Sequence, residues 1–303
     1  MLKRYLKLFL DLLGFIAFQP ILLVSFILPF KGSSWVGGWF FGGVGPYLKV
    51  NTIARRNLKL VFGTLDPMDE RHLLKSMWQN LGRTLFECIK LPTITILDHP
   101  DMFEIEGLEH LEHLLHHQQP GLLFSAHLRT WEMGTHLAHQ QGLKLAQVTR
   151  FLNNPFLRWQ INGFHRRIAP TLIPKGPQGA KQIIQFLKAG GHVSMLADQK
   201  LNDGMMVPLF GHEAMTAPAW ARMALKYNCP LVPFYAVRMG GTKFKIVYEA
   251  PLTLPQDGEL TTRVYQLTKL MNERIEAWVR AYPEQWFWIH KRFPKNVYQE
   301  VEQ

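Results

Sequence analysis

The sequence predicts an α/β fold: a mixed, largely parallel sheet flanked by helices, with an apolar helix ahead of it that anchors the chain to a membrane. Two observations predict it. From about residue 103, short apolar runs of strand length alternate with amphipathic runs of helix length, as repeated βα units require. From Leu12 to Phe30 there is no charged residue, a stretch close to the roughly 20 residues that a spanning helix needs. The chain accordingly divides into residues 1–46, an anchor with an aromatic, glycine-rich connector, and residues 47–303, a single α/β domain. Hydrophobic residues make up 47% and charged ones 19%, which suits a folded chain and argues against disorder.

Lys3, Arg4 and Lys7 precede the apolar run, as they would in a signal peptide. The run is longer than a signal peptide's apolar stretch, and no small-residue cleavage site follows it, so it reads as a retained anchor. Pro20 would kink a helix there. Basic residues flank both ends, with Lys31, Arg55 and Arg56 on the far side, so charge asymmetry leaves both a span and an interfacial segment open. The connector GSSWVGGWFFGGVGP carries Trp35, Trp39 and Phe40, suited to headgroup level.

Residues 51–90 read as helical, broken at Asp66-Pro67. Leu73, Leu74, Met77, Leu81, Leu85 and Cys88 recur at the three-to-four spacing of one buried face. Strand FEIEGL follows, then helix LEHLEHLLHHQQ up to Pro120, strand GLLFSA and a helix from about Trp131 to Gln141. Strand LKLAQV, a helix around Pro155–Arg167 and strand TLIP come next. Helix GAKQIIQFLKAG stops at Gly190-Gly191 and leads to strand HVSMLA. A helix from Pro218 through Ala224 precedes strands LVPFYAV and FKIVYEA. The last helix, about Thr261–Tyr282, buries Val264, Leu267, Met271, Ile275 and Trp278.

Lys and Arg number 34 against 23 Asp and Glu, a net charge of +11, which favours an anionic partner. No zinc-finger spacing, RNP aromatic signature or long basic block is present, so nucleic acid is the weakest candidate beside an anionic membrane and an acidic protein or substrate. Cys88 and Cys229 are the two cysteines; they make neither a disulfide framework nor a CxxC metal site. His110, His113 and His117 share one helix face, but nothing completes a ligand set around them. They read as surface histidines, and neither metal nor cofactor is expected.

The chemistry concentrates at FSAHLRTWEMG, residues 124–134. On a continuous helix, residues five apart lie about 140° from each other and would not meet. Here GLLFSA is a strand and the helix begins near Thr130, so His127 sits past a strand end and Glu132 in the first helical turn. A tight turn can fold the two together. A carboxylate on one imidazole nitrogen fixes the tautomer and leaves the other nitrogen free to take a proton. The plainer reading is an acidic residue complementing a helix dipole. Other strand ends carry polar groups too: Arg150 and Asn154 in TRFLNNP, Asp198 and Gln199 in LADQ, and His290, Lys291 and Arg292 in the C-terminal YPEQWFWIHKRF. Ligands of open α/β sheets bind at such ends. Arg129, Arg150, Arg166, Arg167 and Lys175 could bind phosphate or a developing oxyanion there, or be solvated surface charge.

The ordered motifs HLRTWE, TRFLNNP, ADQ…VPLFG…T, VPFYAVR and PEQWFWIHKRF resemble those of the bacterial lipid A late acyltransferases. This lauroyl/myristoyl-transferase family is related to the lysophospholipid and glycerol-phosphate acyltransferases. The resemblance covers most of the chain, the apolar N-terminus included. It implies acyl transfer from an acyl carrier protein thioester, or acyl-CoA, directly to a hydroxyl of a lipid A precursor. His127 would be the general base and Glu132 its partner; Arg150, Asn154, Arg166, Arg167, Asp198 and Gln199 would contact substrate. The family pattern puts an arginine in the helix after its Asn-Pro; the matching residue here is His165, followed by Arg166 and Arg167. The expected place is the bacterial inner membrane, with the catalytic domain on the cytoplasmic face where soluble acyl thioesters are. Alternatives are another lipid acceptor (lysophospholipid, glycerol phosphate, an ornithine-type lipid or a phosphoinositide mannoside) or an inactive lipid-binding relative. Retention of both His127 and Glu132 speaks against the last.

Overall fold

The computed structural model describes residues 2–116 and 119–300, so His117 lies outside the described residues. Four helices come first: α1 (Leu2–Ile27), α2 (Phe30–Val44), α3 (Asn51–Phe62) and α4 (Pro67–Lys90). Asp66 and Pro67 do start a helix: the Asp66 side chain accepts from the Met68 N–H at 2.8 Å, and Pro67 occupies the first turn, where its missing N–H costs nothing.

The α/β part then runs through β1 (Phe103–Glu106), α5 (Leu108–His116), β2 (Leu122–Ser125), α6 (Trp131–Gln140), β3 (Leu145–Thr149), α7 (Pro155–Ile168) and β4 (Thr171–Pro174). It continues with α8 (Pro177–Lys188), β5 (His192–Leu196), β6 (Met205–Leu209), β7 (His212–Thr216), α9 (Ala219–Tyr227), β8 (Leu231–Gly240) and β9 (Lys243–Tyr248). α10 (Leu260–Ala281) and α11 (Lys295–Glu300) close the chain. The seven-stranded sheet runs β1, β9, β8, β2, β5, β3, β4. Every neighbouring pair in it is parallel except the antiparallel β8–β9. It is the mixed, largely parallel sheet that the alternation predicts.

β2, near the middle, is buried throughout, which explains its unbroken apolar run. Its side chains alternate between the two faces. Leu122 and Phe124 join Leu267, Ile275 and Trp278 of α10 in one core, and Leu123 joins Met133 and Leu137 of α6 in the other. The apolar periodicity of the last helix therefore named its buried face correctly.

Two elements differ from expectation. GSSWVGGWFFGGV is a helix, α2, rather than a loose connector. Its glycines are contact points: a Cβ on Gly37 would lie 2.4 Å from the Gly82 carbonyl oxygen of α4, and one on Gly82 would lie 2.1 Å from that of Gly37. The two backbones touch, and only glycine permits that approach. The second element is the β6–β7 hairpin, which the sequence does not announce because Pro208 interrupts its first strand. Its two-residue turn, Phe210-Gly211, has positive φ at both positions (55° and 78°), as the tight primed turns of hairpins require.

α1 continues through Pro20 as a single helix, and Arg4–Ile27 is long and apolar enough to cross a membrane. Phe9, Ile16, Leu23 and Phe26 are exposed on it. Another stripe docks on α7 and α4. Asn154 Nδ2 donates to the Asp11 carbonyl at 2.6 Å, the Phe15 and Phe156 rings lie 5.8 Å apart, and Gln19 exchanges amide bonds with Gln160. Lys90 Nζ meets the Phe26 carbonyl at 3.5 Å.

Candidate active site

The sheet register builds the centre of the site. β2 and β5 are parallel neighbours with Ser125 opposite Leu196. Two residues past each strand end stand His127 and Asp198, which the register brings side by side although 71 positions separate them. Asp198 is fully buried. Its Oδ1 lies 2.6 Å from His127 Nδ1, and its Oδ2 accepts from the His127 backbone N–H at 2.8 Å and from Trp286 Nε1–H at 2.7 Å.

On the other side of the ring, Gln199 Nε2 lies 3.2 Å from His127 Nε2, and Gln199 Oε1 accepts from Lys175 Nζ at 2.6 Å. These contacts fix the protons. Lysine can only donate, so the amide oxygen of Gln199 faces Lys175 and its NH2 faces the imidazole. His127 Nε2 must then accept, which puts the ring proton on Nδ1, donated to Asp198. The result is a neutral imidazole with its lone pair at Nε2. Burial alone would raise the Asp198 carboxyl, but its contacts with His127, and His290 more distantly, hold it well below the usual carboxylate range.

A cavity of ≈ 220 Å³ opens beside His127. Its walls are mostly apolar and come from separate elements: Phe18 of α1, Leu85 and Ile89 of α4, Ile161 and Phe164 of α7, and Phe287. Arg129, Glu132 and His165 reach it as well. A basic imidazole nitrogen at the mouth of an apolar cavity suits proton transfer on a substrate with a hydrocarbon part.

Residues 3–295 match the sequence model of the family described as bacterial lipid A biosynthesis acyltransferase. The chain belongs to that family. It is 27% identical over 254 residues to the lipid A biosynthesis lauroyltransferase of Escherichia coli (strain K12), covering 80% of this chain and 78% of the relative. It is 26% identical over 188 residues to the lipid A biosynthesis myristoyltransferase of the same strain, covering 61% of this chain and 57% of that one. A lipid A biosynthesis acyltransferase of Haemophilus influenzae (strain ATCC 51907 / DSM 11121 / KW20 / Rd) is 23% identical over 275 residues, covering 89% of this chain and 83% of the relative.

In this acyltransferase the carboxylate on the histidine is Asp198, in the position the spacing assigns to Glu132. Glu132 does sit in the first turn of α6 and lines the same cavity. Yet it is buried, hydrogen-bonded to Cys88, and its Oε2 has no partner. Burial raises its carboxyl to about 7, against the opposing pull of Cys88 and Arg129. Gln199, expected to contact substrate, is the residue that orients the imidazole from its Nε2 side.

The remaining expected contacts lie further out. Asn154 caps α7: its Oδ1 accepts from the Phe156 and Leu157 N–H groups at 3.0 and 3.1 Å while its Nδ2 reaches α1. Arg150, Arg166 and Arg167 are exposed, and none lines the cavity. His165, the residue in the arginine's place, does line it, and burial lowers its pKa. Lys175, expected as a phosphate or oxyanion contact, donates instead to Gln199, and Trp286, which donates to Asp198, had no individual signal beyond belonging to an aromatic segment.

The raised Glu132 carboxyl makes a stability prediction. Its ordinary pKa is 4.5 and in the fold it is about 7. Between those values the folded protein holds a proton that the unfolded chain has released, so stability falls as pH rises through this window. Glu132→Gln removes that dependence. Relative to the parent, the variant should gain on the order of 2 kcal/mol between about pH 5 and pH 8, read from denaturant unfolding in detergent. Parallel pH curves for the two proteins would show that Glu132 titrates normally.

Proposed function

We propose that this acyltransferase moves a fatty acyl group from an acyl carrier protein thioester, or acyl-CoA, to a hydroxyl of a lipid A precursor, with His127 as general base. The observation that carries the proposal is the lone pair of His127 Nε2, oriented by Asp198 and Gln199, at the mouth of an apolar cavity. The acceptor hydroxyl gives its proton to Nε2 as its oxygen attacks the thioester carbonyl carbon. The tetrahedral intermediate then expels the thiolate, which takes the proton back from Nε2. One ester forms, one thioester breaks, and the histidine ends neutral.

No acyl-enzyme is needed. Cys88, at the cavity, is held as a thiol by burial, well above its ordinary pKa, and thiols are poor nucleophiles. The apolar walls suit the acyl chain. The +11 charge suits an acidic carrier, a phosphorylated acceptor and an anionic membrane. Exposed Arg150, Arg166 and Arg167 are candidates for the acceptor's phosphates, Asp198 and Gln199 orient the base, and Glu132 lines the same cavity as Arg129. The working location is the cytoplasmic face of the inner membrane, where α1 meets the bilayer and the thioesters are soluble.

Purified protein in detergent, given acyl carrier protein or CoA thioesters and a lipid A precursor, should produce an acceptor heavier by one acyl group in mass spectrometry. Transfer to lysophospholipid or glycerol phosphate, with the lipid A precursor untouched, would reject the acceptor. The donor giving the higher kcat/KM identifies the carrier.

A further inference from the structure

Arg129 lies between His127 and Glu132 in the chain and is 6% exposed. Its guanidinium carbon sits 4.7 Å from the centroid of the Phe287 ring, which also stacks beside His127 at 6.2 Å. One ring thus positions both side chains. Its Nε and Nη2 are buried without a hydrogen-bond partner, and a bare buried donor costs stability. Among the described residues lining the cavity, Arg129 is the one Lys or Arg. Its nearest counter-charges are Glu132 and Asp198; Asp198 is already engaged by His127 and Trp286.

Bare donors at a cavity call for an oxygen ligand carrying negative charge. Phe18, Leu85, Ile89 and Phe164 make most of the wall apolar, which admits a hydrocarbon chain and excludes a hydrated phosphate. With the chain in the cavity, the thioester carbonyl lies at the mouth, where His127 Nε2 activates the attacking hydroxyl. We propose that Arg129 binds the carbonyl oxygen of the acyl thioester and stabilises the oxyanion that forms when the acceptor hydroxyl adds to it. The proposal rests on the acyl-transfer reading above. Stacked on Phe287, the guanidinium is held before the substrate arrives, so little reorganisation accompanies the reaction. Burial depresses its pKa only to about 9, which leaves it a cation at neutral pH.

The test uses the full chain in detergent, with Arg129→Met, Arg129→Lys and Arg129→Ala. Two rates are read: acyl transfer to the lipid acceptor, and the slower hydrolysis of the thioester by water without acceptor. In Arg129→Met both kcat values should fall roughly 100-fold or more, with KM for acceptor and thioester changed by less than about threefold. Arg129→Lys should keep part of the rate, and added guanidinium ion should restore turnover to Arg129→Ala; a packing role would give no such rescue. Both rates of Arg129→Met within about threefold of the parent would overturn the assignment. So would a higher KM for a phosphorylated acceptor at unchanged kcat, which would put a phosphate against Arg129. If Arg129→Met fails to fold, folded Arg129→Ala decides: no recovery with guanidinium overturns the proposal. A parent that turns over no acyl thioester fails the acyl-transfer reading itself.

Discussion

His127→Ala should lower kcat for acyl transfer by about 10³-fold or more, with substrate KM nearly unchanged. General-base catalysis contributes roughly 10²–10⁴-fold, and His127 Nε2 is the group in the site with a lone pair held ready for a substrate proton. Folding should survive. Asp198 keeps two of its three bonds, from the His127 backbone N–H and from Trp286, and the imidazole is partly exposed. Steady-state transfer assays with a thermal-unfolding control measure both. Near-parental turnover by folded His127→Ala would mean that the proton leaves by another route.

Asp198→Asn is the sharper experiment because its result follows from proton positions. Oδ2 faces two donors, the His127 N–H and Trp286 Nε1–H, so the amide oxygen must take that side. The NH2 then faces His127 Nδ1, which has to become an acceptor, and the ring proton moves to Nε2 as the Gln199 amide, whose NH2 faces that nitrogen in the parent, turns aside. The base now points its proton at the substrate. A loss of about 10⁴-fold in kcat is expected, the size seen when such an exchange traps a catalytic histidine in the wrong tautomer. Nitrogen-15 shifts of the labelled histidine should report the switch directly. If Asp198→Asn stays within about tenfold of the parent while Glu132→Gln abolishes transfer, Glu132 is the working partner after all.

That contest shows what one sequence can and cannot yield. HLRTWE correctly announced a strand end followed by a helix start, and both residues do line the cavity. Which carboxylate meets the imidazole, however, depends on β2 lying next to β5, a long-range pairing that local spacing does not encode. Asp198 was visible as a polar group after a strand; its register with His127 was not. The order of βα units and the buried face of α10 were legible because apolar periodicity is local. α2 was missed for a physical reason, since glycines that weaken a lone helix are what let this one press against Gly82. The same holds for Arg129, whose neighbours gave no clue that its donors would be buried and unfilled.

The contact of Phe18 with the cavity reaches beyond membrane attachment. α1 is at once the part of the molecule most suited to lipid and one wall of the compartment beside the reacting nitrogen. A shortened protein starting near Phe30, the obvious choice for easier handling, would retain the His127–Asp198 pair and yet have the cavity beside it breached along one side. A membrane-length apolar helix and a wall of the cavity are thus one and the same element, so changes to α1 that adapt it to a different bilayer also reshape the space beside His127.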